Sequence, residues 1–187
     1  MKMLLKIASG MILSTGLLMA ASYSVDNAHS NVGFTVKHMM VTNVHGKFTS
    51  YDAKVEFDDA TKTFKKLVAN IDTNSIDTGI EKRDNHLRSD DFFAVEKFPK
   101  MTFEMTSYKA DGDDGKMTGN LTIRGITKPV VLEVEDISVL GDKVGFSVEG
   151  KINRQDFDLK WNKAIELGGV AVSDEVKIKV DIEAKKQ

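Results

Sequence analysis

The sequence predicts an all-β domain that closes into a barrel, with one helix at an end. Two observations support this prediction: apolar and polar residues alternate in eight short runs, and polar turn residues separate these runs at short intervals. A single helical pattern interrupts the series. Short strands joined by polar turns form a sandwich or a barrel, and about eight of them suit a closed barrel whose interior can hold one small ligand.

The first 21 residues predict a secretory signal peptide. Lys2 and Lys6 flank the start of an apolar run over residues 7–19, and small residues occupy positions 20–22. This order is typical of a cleaved leader, and the run is shorter than the roughly 20 residues of a membrane-spanning helix. We therefore expect export to the periplasm and a single mature domain of residues 22–187.

Charge and cysteine content exclude several classes of protein. Loss of Lys2 and Lys6 leaves 24 basic residues against 28 acidic ones, a net charge of about −4. Nucleic-acid binding needs clustered basic residues, so this balance argues against it. The chain has no cysteine, which excludes disulfides and a lipid anchor on a leader cysteine. The mature chain is long enough to be stabilised by its own core.

The alternating runs each direct one apolar row inward and one polar row toward water. They cover residues 32–38, 51–58, 67–71, 101–105, 117–123, 130–134, 144–148 and 176–182. Turn residues stand at 58–59, 111–115, 125, 141–142 and 168–169. Glycines within the runs, Gly33, Gly119 and Gly145, predict bends where a barrel turns a corner.

Residues 79–90 predict a helix of about three turns that covers one end of the barrel. Thr78 and Glu81 have the spacing of a capping box. Asp84 and Arg88 have the spacing of an i,i+4 ion pair.

The helix carries candidates for a ligand's head group. Arg83, His86 and Arg88 predict a contact with an anionic or polar group at the barrel mouth. The alternative is a solvated charged face with internal ion pairs, which the pattern favours without excluding the head-group contact.

No metal site or catalytic motif emerges. His86 and Asp90 have metal-compatible spacing but lack a third ligand. The acidic turn at 111–115 resembles a calcium loop, yet Thr122 stands where a bidentate glutamate is required. The nucleophile elbow, the phosphate loop and the dinucleotide fingerprint are all absent. An enzyme would need an inward titratable group, for which His38 is the candidate, and we expect no enzyme.

Motifs along nearly the whole mature chain carry a family resemblance. They are Tyr23-x-x-Asp26, His29-Ser30, Gly46-Lys-Phe48, Arg83–Phe92 (RDNHLRSDDF), Phe98–Phe103, Gly119–Ile123, Gly125-x-Thr-Lys-Pro-Val130 and Asn153–Phe157. In this order they resemble the YceI family of bacterial periplasmic, lipocalin-like isoprenoid-binding proteins. The RDNHLRSDDF segment is the most specific of them.

The resemblance implies an elongated eight-stranded antiparallel lipocalin-like barrel, commonly a homodimer, with a long hydrophobic channel. In similar proteins this channel holds a polyprenyl chain, a quinone tail or a fatty-acid amide. The resemblance supplies no catalytic residue, and we expect no cofactor other than such a lipid-like ligand. The expected function is a carrier that sequesters a long-chain amphiphile.

Ligand-binding candidates come from the inward rows and from the aromatic residues near the helix. They are Phe34, Val36, His38, Phe48, Ile76, Leu87, Phe92, Phe93, Phe98, Phe103, Leu121, Ile123, Phe146, Ile152, Phe157 and Trp161. The alternative is a protein-interaction or stress-response module with a filled core and no small-molecule ligand.

Overall fold

The computed structural model describes residues 20–164 and 170–187. The predicted signal peptide, except for its last two residues, and the predicted turn at Gly168-Gly169 lie outside the described residues. Within the described ranges, no helix is both long and apolar enough to cross a membrane.

Eleven strands, one α-helix and two short 3₁₀ turns make up the described chain. The strands are β1 (Ala21–Val25), β2 (Asn31–His38), β3 (Thr42–Phe48), β4 (Tyr51–Asp58), β5 (Thr63–Asp72), β6 (Ile76–Asp77), β7 (Lys100–Asp111), β8 (Asp114–Ile123), β9 (Ile126–Leu140), β10 (Lys143–Asn153) and β11 (Val172–Lys186). The helix α1 spans Glu81–Arg88, and the 3₁₀ turns span Thr73–Ser75 and Arg154–Phe157.

The eleven strands form a barrel with eight positions around its wall. Three of these positions are each occupied by two strands that follow one another along the chain, because a short non-strand segment separates them. These pairs are β1 with β2, β3 with β4, and β5 with β6. The long strand β11 pairs with β10 on one side and with both β2 and β1 on the other, and β1 also pairs with β4. All pairings are antiparallel, so the predicted eight-stranded antiparallel barrel is confirmed.

Helix α1 lies at the predicted end of the barrel but is shorter than expected. It has eight residues, and the predicted capping box is wrong. Gly79 adopts a left-handed φ of 78°, which turns the chain so that Ile80 becomes the N-cap. The buried Asp84 takes the expected role of Glu81, since its Oδ1 accepts from the Thr78 backbone N–H at 3.0 Å and from the Thr78 hydroxyl at 2.5 Å.

The predicted ion pair between Asp84 and Arg88 is also wrong. Arg88 Nε and Nη2 donate instead to the carbonyls of Asn74 at 2.8 Å and Ile76 at 2.7 Å. Its Nη1 donates to Asn85 Oδ1 at 3.0 Å. Arg88 therefore ties the helix to the preceding chain rather than to its own first turn.

Glycines within the strands serve more than one purpose. The pairing of β9 with β10 shifts register next to Gly145, so the bend predicted there is present. Gly33 instead keeps regular pairing with Lys179 and belongs to no bulge. The pairing of β7 with β8 also shifts register next to Gly119, so the bend predicted there is present as well. Gly119 in addition leaves room for the inward ring of Phe103, which an added Cβ would meet at 2.3 Å.

The end of the barrel opposite α1 is filled by aromatic rings. Phe64 lies at the centre, with ring centroids 4.9 Å from those of Phe57 and Phe146 and 5.0 Å from that of Tyr108. These contacts are tilted or edge-to-face, the arrangements that aromatic pairs prefer. We call this group, Phe57, Phe64, Tyr108 and Phe146, the aromatic floor.

Candidate functional site

An apolar cavity runs inside the barrel from the aromatic floor toward the end that carries α1. Its volume is about 230 Å³, and its wall is formed almost entirely by carbon atoms. Along β11 the inward row from Val176 to Ile182 borders it throughout. Six residues of strand span roughly 20 Å, which a strand tilt of about 40° reduces to roughly 15 Å along the barrel axis.

Eleven of the sixteen residues predicted to bind a ligand line this cavity. They are Phe34, Val36, Phe48, Leu87, Phe92, Phe93, Phe103, Leu121, Ile123, Phe146 and Ile152. Strands supply eight of them, because each is on the inward row of its strand. Leu87 projects from α1, and the Phe92-Phe93 pair follows directly after it.

The remaining five predicted residues do not line the cavity. His38 is exposed at the end of β2, so it is not an inward titratable group. Ile76 and Phe157 are buried in the core outside the cavity, at 0% and 1% exposure. Phe98 packs over Gly125, where an added Cβ would lie 2.9 Å from its ring.

Trp161, the fifth of these residues, helps to close the end of the barrel. Its ring centroid lies 4.9 Å from that of His86 and 5.3 Å from that of Phe92. Through these aromatic contacts, the segment after the second 3₁₀ turn packs against the end of α1. Trp161 therefore acts on the cavity through Phe92, which does line it.

The predicted residues leave out much of the aliphatic part of the wall, although the inward rows from which they were drawn contain it. Besides the predicted residues, the cavity contacts Val25, Val32, Val55, Leu67, Ala69, Ile71, Met101, Met117, Val130, Leu132, Val148, Ile178 and Val180, among others. The strand period places many of these residues on inward rows. The prediction favoured aromatic residues, whereas position on the row is the better guide.

The barrel wall is interrupted where β1 gives way to β2. Ser24 is the last residue of β1 paired with β4, and β2 then pairs with β3 instead. The Asn27 side-chain amide donates to the Tyr51 carbonyl at 3.3 Å across this gap. Gly33 and Asp52, which hold outward positions on their strands, border the cavity here. The cavity thus reaches the side of the barrel as well as its end.

The three predicted head-group residues use their polar groups within the protein. Arg83 donates from Nε to the Thr78 hydroxyl at 2.7 Å and from Nη2 to the Thr78 carbonyl at 2.9 Å. Arg88 is bound to carbonyls as described above. His86 Nε2 lies 2.9 Å from Asp91 Oδ2. None of the three borders the cavity, so the geometry favours the alternative of structural and surface roles.

Among the residues that the structure describes, Arg154 is the one arginine that borders the cavity, and it was not among the predicted site residues. It is 3% exposed. Its five N–H groups all have acceptors: the carbonyls of Leu159, Trp161, Val172 and Ser173, and Asp174 Oδ1 at 3.0 Å. Burial lowers the pKa of the guanidinium, and Asp174 opposes that shift. Arg154 therefore joins the segment after β10 to the start of β11.

The buried polar side chains of the described residues are satisfied within the protein itself. Throughout residues 20–164 and 170–187, each buried side-chain nitrogen or oxygen already has a hydrogen-bond partner. A buried polar group left without a partner is costly, so the wall is complete as it stands. The cavity is therefore suited to an apolar chain rather than to a charged or polar ligand.

One side-chain group has the composition of a metal site. Potential ligand atoms of Asp26, His29 and Glu183 lie within 4.8 Å of one another. However, Lys143 Nζ lies 2.5 Å from Glu183 Oε1, and His29 Nδ1 lies 3.0 Å from Asp26 Oδ2. The group is accounted for as a surface network of ion pairs, and we assign no metal to it.

Comparisons with known proteins place the chain among its relatives. The model of the YceI-like domain matches residues 23–184. Protein YceI of Salmonella newport is 37% identical over 186 residues, covering 96% of this chain and 94% of that protein. The crystal structure of a Campylobacter jejuni YceI protein is 42% identical with a TM-score of 0.71, covering 87% of this chain and 96% of that one.

A more distant structure shares the fold. It is a polyisoprenoid binding domain from Saccharophagus degradans implicated in plant cell wall breakdown, 16% identical, with a TM-score of 0.64 over 90% of this chain and 99% of that one. The family model covers nearly all of the described residues, and the closed barrel with one end helix agrees with it. The chain belongs to the YceI family.

Proposed function

We propose that this protein is a periplasmic carrier that sequesters the hydrocarbon tail of a long-chain amphiphile inside its barrel. The observation that carries the proposal is the apolar cavity between the aromatic floor and α1. A polyisoprenoid, an isoprenoid quinone and a fatty-acid amide all have such a tail. The fold relative named for polyisoprenoid binding is consistent with this use.

Burial of the tail supplies the binding free energy. Each CH₂ group removed from water contributes about 0.8 kcal/mol, and ordering the tail and losing rigid-body freedom offset much of the total. One methylene more or less changes affinity by only about 1–3 kcal/mol. The barrel therefore discriminates weakly between chains of similar length and shape.

The cavity volume bears on which ligand fits. Most small-molecule sites measure about 300–1,000 Å³, so about 230 Å³ is small for a long prenyl chain. Met101 and Met117 belong to the wall, and unbranched methionine side chains adapt readily to a new shape. We propose that the wall widens around the tail by such side-chain movements, without a change in strand pairing.

The test is native mass spectrometry of protein expressed with its leader, followed by denaturing extraction and identification of any released molecule. A near-stoichiometric copurified lipid supports the carrier. An apo mass that does not change after incubation with quinones, polyprenyl phosphates and fatty amides contradicts it and favours the interaction module with a filled core. The same spectra report whether the protein is the homodimer that the resemblance implies.

A pair of variants locates binding in the cavity. Ala69 borders the cavity, and Ala69→Phe is expected to fill it and abolish lipid copurification. Ala110 is exposed near the end of β7 and does not border the cavity, so Ala110→Phe adds the same ring away from it and is expected to bind as the wild type does. Equal lipid content in both variants would place the ligand elsewhere.

A further inference from the structure

The hairpin between β2 and β3 ends in three exposed apolar residues. Met39, Met40 and Val41 are 41%, 63% and 78% exposed. Val170, at 40% exposure, stands beside them, because the carbonyl of the next residue, Ala171, accepts from the Met39 backbone N–H at 2.9 Å. Exposed apolar residues are usually scattered singly over a soluble protein. We call this group, Met39, Met40, Val41 and Val170, the apolar tip.

The backbone of the tip is unfavourable for the residues it carries. Met39 and Met40 have φ values of 52° and 58°, in the left-handed region. A Cβ is disfavoured there, and a hairpin turn with two such residues prefers Asn-Gly. Two methionines at these positions therefore destabilise the turn, and contact of their apolar side chains with water does not offset this destabilisation. The arrangement favours contact between their side chains and an apolar medium.

Positive charge flanks the tip although the mature chain is acidic overall. Lys37 and Lys177 border the same surface groove as Met40. Within the described residues neither lysine forms an ion pair, whereas Glu175, which borders the same groove, is paired with Lys151 at 3.5 Å. Two ammonium groups without an ion-pair partner in the described ranges, next to exposed methionines, suit the surface of an anionic bilayer, where charged headgroups cover an apolar interior.

The tip lies a few residues along the strands from the cavity wall. Val36 borders the cavity three residues before Met39. Val172 also borders it, and its strand partner is His38, the residue immediately before the tip. A hydrocarbon chain that leaves the cavity along these strands therefore reaches the apolar tip within one hairpin turn.

We propose that the apolar tip docks the protein on an anionic lipid bilayer. The methionines enter the boundary between headgroups and acyl chains, and Lys37 and Lys177 meet the lipid phosphates. The docking rests on the tip and its charges. The purpose that we assign to it, passage of a chain between the bilayer and the cavity, rests on the proposed function.

Cosedimentation with vesicles tests the docking. Mature wild-type protein is expected to bind vesicles of phosphatidylethanolamine and phosphatidylglycerol and to bind phosphatidylcholine vesicles weakly. The double variant Met39→Asn/Met40→Gly is expected to lose at least about tenfold in binding, because two apolar side chains no longer enter the lipid. Its hairpin is expected to fold at least as well as that of the wild type, since Asn-Gly suits this turn.

The opposite end of the barrel provides the control. Leu140 lies at the β9–β10 turn and is 82% exposed, more than any residue of the tip. Leu140→Asn is expected to leave vesicle binding unchanged. Lys37→Glu and Lys177→Glu are each expected to weaken binding to the anionic vesicles by about fivefold or more. Lys109→Glu, at an exposed position on β7, is the charge control and is expected to have little effect.

Three outcomes would overturn the docking: a wild type that does not bind anionic vesicles, a double variant that binds them as well as the wild type, or an equal loss in Leu140→Asn. Dimerisation through the tip without vesicle binding would assign the surface to a second copy and also overturn it. Native mass spectrometry in the absence of vesicles distinguishes failure of the docking from failure of the carrier. Vesicle binding by a protein that stays free of lipid after incubation with quinones, polyprenyl phosphates and fatty amides supports the docking and contradicts the carrier.

Discussion

The ring of Phe34 lies directly over the backbone of Gly46, its partner on the neighbouring strand. A Cβ at position 46 would lie 2.3 Å from the Phe34 Cζ atom. Phe34 borders the cavity, and its ring centroid is 5.8 Å from that of Phe48. Gly46 therefore determines where an aromatic ring stands in the cavity wall.

Gly46→Ala is expected to displace the Phe34 ring and narrow the cavity. Overpacking of this kind costs about 1–3 kcal/mol of stability, and copurified lipid is expected to fall with it. Urea unfolding and native mass spectrometry measure the two effects. The double variant Gly46→Ala/Phe34→Leu is expected to recover both, because the shorter side chain removes the overlap. A double variant no better than the single one would contradict this explanation.

Asp84→Ala is expected to destabilise the protein by about 1–3 kcal/mol, since it removes the acceptor of the Thr78 backbone N–H and hydroxyl. Glu81→Ala, at an exposed position on the same helix, is the control and is expected to change stability little. Urea denaturation of both variants compares them directly. A larger loss of stability in Glu81→Ala than in Asp84→Ala would contradict this assignment and support the capping box that the sequence predicts.

Arg154→Met is expected to cost about 3–5 kcal/mol, because removing a buried charge leaves four carbonyl groups without their donor. Arg154→Lys is expected to recover only part of the loss, since an ammonium group cannot reproduce the five-donor geometry of the guanidinium. Lys151→Met, which breaks an exposed pair with Glu175, is the control and should matter little. Equal urea midpoints for Arg154→Met and Lys151→Met would contradict the assignment.

Stability is expected to fall at alkaline pH because of Tyr23. Burial, together with the hydrogen bond to Asp59 Oδ1 at 2.5 Å, raises the pKa of Tyr23 above its usual value. The unfolded chain therefore loses this proton from about pH 10 upward while the folded protein keeps it, so the free energy of unfolding decreases as pH rises through that range.

Tyr23→Phe is expected to flatten this dependence in urea unfolding measured on both sides of pH 10. It is not expected to abolish it, because burial also raises the pKa of Tyr51 and of Tyr108. An unchanged slope in Tyr23→Phe would show that Tyr23 does not carry the effect.

The alternation of apolar and polar residues was sufficient to predict the barrel, because an inward row must be apolar in every strand of a closed wall. It failed for β3, where the inward row is Val44, Gly46 and Phe48 and the glycine interrupts the pattern. It also failed for β1 and β6, which have five and two residues. Neighbouring strands rather than their own sequence pattern define them, since β1 pairs with β4 and β11, and β6 pairs with β3.

The candidate site was harder to predict than the fold. The sequence does not show which hydrogen-bond acceptors the fold brings next to an arginine. Arg83 and Arg88 were therefore predicted to contact a head group, although both donate to acceptors within the protein. Arg154 belongs to the Asn153–Phe157 motif but was not predicted as a site residue, because its acceptors come from two chain segments separated in sequence. Only the assembled structure brings these carbonyls together.

The aromatic floor gives the barrel a closed bottom, and this determines how affinity should depend on chain length. In a homologous series of amphiphiles, each added methylene is expected to strengthen binding until the terminal methyl group reaches Phe146, the floor residue that borders the cavity. Phe146 pairs with Ile182, roughly 15 Å from the level of Val176. Beyond that length the added carbons stay in water and affinity levels off. The floor thus makes affinity depend on the length of the hydrocarbon chain rather than on the chemical class of the amphiphile.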